Sequence, residues 1–426
     1  MNLLLKSVKL VSAGHPLNNS NCDIYIENGI YNKIAATVSE KDCAKGTQVI
    51  DAAGLYISEG WLDMRCRFGE PGEEQKETIA SGLNAAAKGG FTGVVLMPST
   101  NPPLYTRSSV EYIKTAGQGK ITEVFPAGCL TVKREGKEMA ELYDMKLGGA
   151  VAFTDDQRAV SDSGVMLRLL QYAENIGAPV LAYADERNLS GDLQANQSAA
   201  TTLLGFKGSP AVAEEIAVNR DILLSTYSNV PVHFAGISTA GAAEAIRKAK
   251  QKGLKVTAEV SSYHLLLTDD MLDTFDTSLK VKPPLRTNAD ADALRNAVAD
   301  GTIDVVVSDH TPEDLESKEV EWDFSAHGII NLETSFAVMN TAMKGKISIE
   351  ELIARITTRP RTILKMQQHA ITEGSTANFT LFDPMREWTY DVKQSRSLSA
   401  NTPFHGKKLT GCVAGVGNNG KFEFFL

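Results

Sequence analysis

The chain has 426 residues, with 43 Lys and Arg against 52 Asp and Glu, a formal net charge of −9 when its seven histidines are taken as neutral. That acidic balance excludes a general nucleic-acid binder, which concentrates positive charge. A content of 43 % hydrophobic and 22 % charged residues excludes disordered and collagen-like classes.

At roughly 100–200 residues per domain, the length fits a few domains, or one large barrel plus a smaller unit. No window of apolar residues is long enough for a membrane span. The opening apolar run, Leu3-Leu4-Leu5, is cut by Lys6, so no signal peptide is expected. Cys22, Cys43, Cys66, Cys129 and Cys412 are odd in number, scattered and without a CxxC pair; they read as reduced cytoplasmic thiols.

The first fifty residues read as short strands. Asp23–Glu27 and Ile30–Ile34 flank Asn28-Gly29, a pair that supplies the positive φ angles of a tight hairpin. Apolar, β-branched runs then recur eight times: 55–62, 91–97, 123–130, 149–153, 179–183, 230–236, 255–260 and 303–308. Helix-length amphipathic stretches fill most of the gaps, at 77–88, 163–176, 239–251 and 289–299, and the helix after strand seven is expected to be followed by a Pro-rich turn, Lys282-Pro283-Pro284. Alternating strands and helices imply parallel βαβ units, and eight of them predict a closed (β/α)₈ barrel. The C-terminal end turns β-rich again, at Asn378–Phe382, Val413–Gly415 and Lys421–Phe425. The expected organisation is therefore a barrel over 54–374 and one small β-sandwich from 1–53 plus 375–426. Gly415-Val-Gly417-Asn-Asn-Gly420 satisfies G-x-G-x-x-G, but only six residues follow it. That leaves no room for a dinucleotide-binding helix, so it reads as a turn.

Catalytic groups of such a barrel sit at the C-terminal ends of its strands. There the chain reads Gly60-Trp-Leu-Asp63-Met-Arg65-Cys-Arg67-Phe-Gly69-Glu70-Pro71-Gly72, Met97-Pro-Ser99-Thr100-Asn-Pro102 and Ala152-Phe-Thr-Asp155-Asp156. Further on come Ile237-Ser-Thr-Ala240, Pro283-Pro-Leu-Arg286, Ser308-Asp309-His310-Thr-Pro312 and Gly328–Thr334. In this order and over nearly the whole chain, these runs resemble the dihydroorotases of the amidohydrolase superfamily. The resemblance implies a metal-dependent barrel with a small β-sandwich built from both termini, acting in pyrimidine biosynthesis on a cyclic amide.

The departures from that pattern carry a functional message. Where the family has the two zinc-binding histidines of strand one, this chain has Arg65 and Arg67. The ligand histidines after strands five and six correspond to Tyr183 and Gly236. Guanidinium is a pure donor and offers a metal no lone pair. Of the ligand set only Asp156 and Asp309 remain, the latter also the catalytic base in active relatives; both are read as vestigial. The substrate shell is altered as well. The family's carboxylate-binding Arg falls on Gly69 and its Asn on Ser99; the Asn before the Pro-Pro turn is Lys282, and the His closing the Asp-His-x-Pro-His run is Glu313.

The expectation is thus a degenerate member, a pseudo-dihydroorotase, with no catalytic residue, metal or cofactor. Its guanidiniums would occupy the vacated cation site against Asp156 and Asp309, since two buried carboxylates without a cation repel each other and take up protons. Non-catalytic members in some bacteria support an aspartate transcarbamoylase, so that partner is implied, together with a homo-oligomeric state and no nucleic-acid or membrane partner. Two alternatives stay open. One is an active dihydroorotase, or other cyclic-amide hydrolase, with a rearranged zinc site. The other is a pocket left positive by Arg65, Arg67, Arg158 and Lys282 that holds a small anion. The remaining histidines form no metal-binding spacing, and Cys66 is expected to be a buried, inert thiol.

Overall fold

A computed structural model describes residues 1–191 and 194–426. Its eight barrel strands are β1 Trp61–Cys66, β2 Phe91–Leu96, β3 Glu123–Gly128, β4 Ala152–Phe153, β5 Leu181–Tyr183, β6 Val232–Ala235, β7 Val256–Ser261 and β8 Val305–Val307. Neighbours pair in parallel in chain order. Single bridges, Phe153 with Val180 and Cys66 with His310, join the two four-stranded halves and close the ring. The inward layer, including Leu62, Met64, Val95, Ala127, Leu181, Val305 and Val307, is fully buried, so the barrel is a packed core.

Helices pack outside. Hydroxyl caps start them where the sequence supplies Thr or Ser: Thr78 and Thr287 each form a reciprocal capping box, before Ile79–Lys88 and Asn288–Ala299. Thr239 caps Ala240–Gln251 one way only, its side chain accepting from the Ala242 N–H.

Strands from both termini form one continuous sheet of eight around their own core of Leu3, Leu5, Ile24, Ile57, Phe379 and Leu381. Asn28 and Gly29 both have positive φ at its first hairpin, as do Asn419 and Gly420 at its last. The second pair lies within the Gly-rich run 415–420, which is therefore strand and hairpin turn.

Two sequence expectations require correction. The run 55–62 is not one barrel strand: Tyr56–Glu59 pairs with Phe379–Phe382 in the terminal sheet, and the barrel begins at Trp61. Gly60 is the pivot, because a Cβ there would collide with the side chains of Asn378 and Thr92. The Pro283-Pro284 turn, read as following the helix after strand seven, precedes that helix, Asn288–Ala299. Short 3₁₀ turns at Ser262–Leu265, Asp269–Thr274 and Thr277–Leu279 fill the interval after β7.

Candidate functional site

The C-terminal ends of β1, β4, β7 and β8 converge on one buried charge cluster. Arg67, just past β1, lays its fork on Asp156: Nε donates to Oδ2 at 2.6 Å and Nη2 to Oδ1 at 2.5 Å. Its third nitrogen, Nη1, donates to Asp309 Oδ1 and to Thr311 Oγ1, both at 2.7 Å. One guanidinium therefore bridges both carboxylates, using the planar donor geometry that suits carboxylate pairs. Burial works against the charge on Asp156, but Arg67, then Arg134 and Arg65, hold its carboxyl well below the ordinary range. The same carboxylates outweigh burial at Arg67 and raise its pKa well above normal.

Arg65 lies deeper. Its Nε is 3.1 Å from Asp309 Oδ1 and 3.9 Å from Asp156 Oδ1, ion-pair distances, and its Nη1 donates to Glu259 Oε1 at 3.3 Å. Room for it comes from Gly236, where any Cβ would collide with Arg65 Nη1. A side chain at 236 would force the Arg65 guanidinium to shift. Asp156 and Asp309 both sit on left-handed backbone, φ 55° and 50°, a conformation that aspartate tolerates better than most residues.

Tyr183 is buried beside the cluster, with the Arg65 guanidinium carbon 5.9 Å and Lys282 Nζ 5.5 Å from its ring centroid. Those are cation–π distances. Burial raises the Tyr183 phenol well above its usual pKa and lowers the Lys282 ammonium. Glu313 takes an ion pair from Lys76 Nζ at 3.1 Å. At Gly69 a side chain would strike the Glu73 carbonyl, which the loop folds directly onto it. Ser99 is half-buried at the end of β2. Above these groups opens a cleft of about 330 Å³ lined by Arg158, Asp185, Arg187, Lys280, Lys282 and others.

Sequence reasoning missed three members. Glu259 on β7 is buried between Arg65 and His233, whose Nε2 lies 3.2 Å from its Oε2. Tyr263 donates its hydroxyl to Asp309 Oδ2 at 2.5 Å. Arg134, after β3, donates from Nε to the Asp155 carbonyl at 3.0 Å and reaches within 3.9 Å of Asp156 Oδ2. The lone acid in Ala258-Glu259-Val260 was the available signal, since a carboxylate in a buried strand needs a partner. Asp155 accepts from the Thr131 backbone N–H at 2.9 Å. His264 is held between Ser261 Oγ and the carbonyls of Pro283 and Pro284, and burial lowers its pKa to about 4.

The zinc implied by the resemblance would need lone pairs at these positions. The positions offer two guanidiniums, a phenol and a glycine, and both carboxylates are already engaged by Arg67. This donor set does not fit a zinc centre.

Residues 54–242 match the Dihydro-orotase-like family. A dihydroorotase of Pelobacter propionicus is 37 % identical over 415 residues, covering 97 % of each chain. That of Pelotomaculum thermopropionicum is 40 % identical and covers 91 % of each. The chain belongs to the dihydroorotase family. Among solved structures, the L-hydantoinase of Arthrobacter aurescens superposes with a TM-score of 0.86 at 24 % identity, covering 100 % of this chain and 97 % of its own. The dihydropyrimidinase of Brevibacillus agri gives 0.84 at 22 %, covering 99 % of this chain and 95 % of its own. Both share the fold of this chain.

Proposed function

We propose that this dihydroorotase-family chain holds no zinc at its barrel mouth, does not hydrolyse dihydroorotate, and serves as a structural partner of an aspartate transcarbamoylase. The observation carrying the reading is the Arg67 fork seated on both Asp156 and Asp309. A guanidinium that satisfies the two remaining acidic ligands leaves a metal without donors and leaves Asp309 without a bound water to activate. The transcarbamoylase role rests on the resemblance to non-catalytic members of the family. Calorimetric titration of the chelated protein with zinc tests the first part, and no stoichiometric site is the expected result. For the second, the chain should co-purify with a transcarbamoylase whose activity falls when this chain is removed; an unaffected transcarbamoylase refutes the partnership.

The full-length similarity to dihydroorotases supports a second reading, an active cyclic-amide hydrolase with a rearranged centre. Turnover of dihydroorotate that a chelator abolishes and zinc restores would establish it in place of the first.

A further inference from the structure

Arg65 and Arg67, expected to leave the barrel mouth positive, are taken up by Asp156, Asp309 and Glu259. A second layer of cations lies above them, in the cleft of about 330 Å³. Arg158 follows β4, Arg187 opens the short helix Arg187–Ser190 after β5, and Lys282 follows β7 just ahead of Pro283. Among the described residues, none of these three side chains makes an ion pair or a hydrogen bond. Lys280 also lines the cleft, but it is buried and directs its ammonium to the carbonyls of Trp322 at 2.5 Å and Asp323 at 3.2 Å. The carboxylates facing these cations are Asp185, which accepts from Ser190 Oγ at 3.0 Å, and Asp323. Four cations against two carboxylates leave the cleft positive on a chain whose net charge is −9.

We propose that this cleft binds the phosphoryl group of a small metabolite, held by Arg158, Arg187 and Lys282. A desolvated charge without a counter-charge is costly, and Lys282 is in that position. Burial lowers its pKa, opposed by Asp185 and reinforced by the charge of Arg187. An anion seated among the three side chains removes that cost. A phosphoryl group suits them better than a carboxylate does. It carries a charge of about −1.5 to −2 and three acceptor oxygens, one for each cation, whereas a carboxylate offers two oxygens in one plane. Arginine forks and a lysine point charge are the usual donors to such a group. The walls add Gln157, Gln194 and Ser325 and little apolar surface, so whatever the phosphoryl group is attached to is small and polar.

The site is distinct from the family's carboxylate-binding positions. Gly69, Ser99 and Glu313 do not line the cleft; Gly69 is closed off by the Glu73 carbonyl, and Glu313 is paired with Lys76. Lys282 alone belongs to both sets. The inference goes beyond the proposed function and does not rest on the absence of turnover.

The test is calorimetric titration of the full chain, stripped of metal by a chelator, at pH 7 and low salt, with inorganic phosphate, glycerol 3-phosphate and malonate as probes. Phosphate or glycerol 3-phosphate should bind at one per chain, and malonate clearly more weakly. Tighter binding of glycerol 3-phosphate assigns the site to a monoester, and tighter binding of phosphate to the free ion. Arg158→Gln, Arg187→Gln and Lys282→Met should each weaken phosphate binding about tenfold, the scale of one charge-assisted hydrogen bond. Arg158 and Arg187 are exposed, so their variants should keep the wild-type circular dichroism and carry the test even if Lys282→Met unfolds. No saturable phosphate or monoester binding in the millimolar range, malonate binding as tightly as phosphate, or arginine variants that bind like wild type would each overturn the assignment. Because the titrated protein is metal-free, dihydroorotate turnover by zinc-loaded protein would defeat the proposed function and leave this result standing.

Discussion

Replacing Arg67 by Ala removes three charge-assisted bonds, to Asp156 at 2.5 and 2.6 Å and to Asp309 at 2.7 Å. Both carboxylates are buried, and stripping one partner from a buried pair costs about 3–5 kcal/mol. Arg65 stays 3.1 Å from Asp309 but 3.9 Å from Asp156, so Asp156 bears most of the loss. Urea unfolding at pH 7 should show the midpoint falling at constant slope, the mark of a stability change in an unaltered fold. The pH dependence has a definite sign. In wild type the folded Asp156 pKa is depressed, so its contribution is present above the unfolded value of about 3.9 and is lost as pH falls below it. In Arg67→Ala burial dominates, the carboxyl takes up a proton on folding, and the deficit shrinks from pH 7 toward pH 4. Adding Asp156→Leu to an Arg67→Met variant should recover part of the stability, since apolar replacement of a buried pair is often neutral or better. An Arg67→Ala protein within about 0.5 kcal/mol of wild type, the range of inert surface changes, would refute the buried-cluster reasoning. A deficit that grows in acid would refute it equally.

Gly236→Ala should destabilise by about 1–3 kcal/mol through overpacking against Arg65, on a backbone already at φ +69°; thermal unfolding reads this, and part of the loss should return with Arg65→Ala. The double variant Arg65→His/Arg67→His should show no dihydroorotate hydrolysis in a spectrophotometric assay, because Tyr183, Gly236 and Gly69 are unchanged. Cys22, Cys66 and Cys129 are buried, and burial raises each thiol pKa. In native protein a thiol reagent at pH 8 should therefore titrate only Cys43 and Cys412, and all five after unfolding.

The barrel was legible because short apolar runs of strand length alternate with helix-length stretches, several of which open on a hydroxyl cap. What the runs could not show was where one sheet hands over to another. Tyr56–Glu59 and Trp61–Cys66 are equally apolar, and only the crowding around Gly60 separates them. At the site, strand alternation put Arg65 and Arg67 on one face, which is where they lie. Their division of labour was not legible, since it depends on depth: Arg67 reaches both aspartates, while Arg65 turns toward Glu259 into space that Gly236 leaves open. Tyr263 and Arg134 sit on short 3₁₀ turns just past β7 and β3, and no strand or helix periodicity encodes where such turns aim their side chains.

The most direct test of the central claim is hydrolysis of dihydroorotate by the purified chain, assayed with zinc supplied and with the bound metal counted on the same sample. Far less than one zinc per chain and no turnover above the buffer rate is the predicted result. One tightly held zinc per chain, with turnover that is lost to a chelator and restored by the metal, would contradict it.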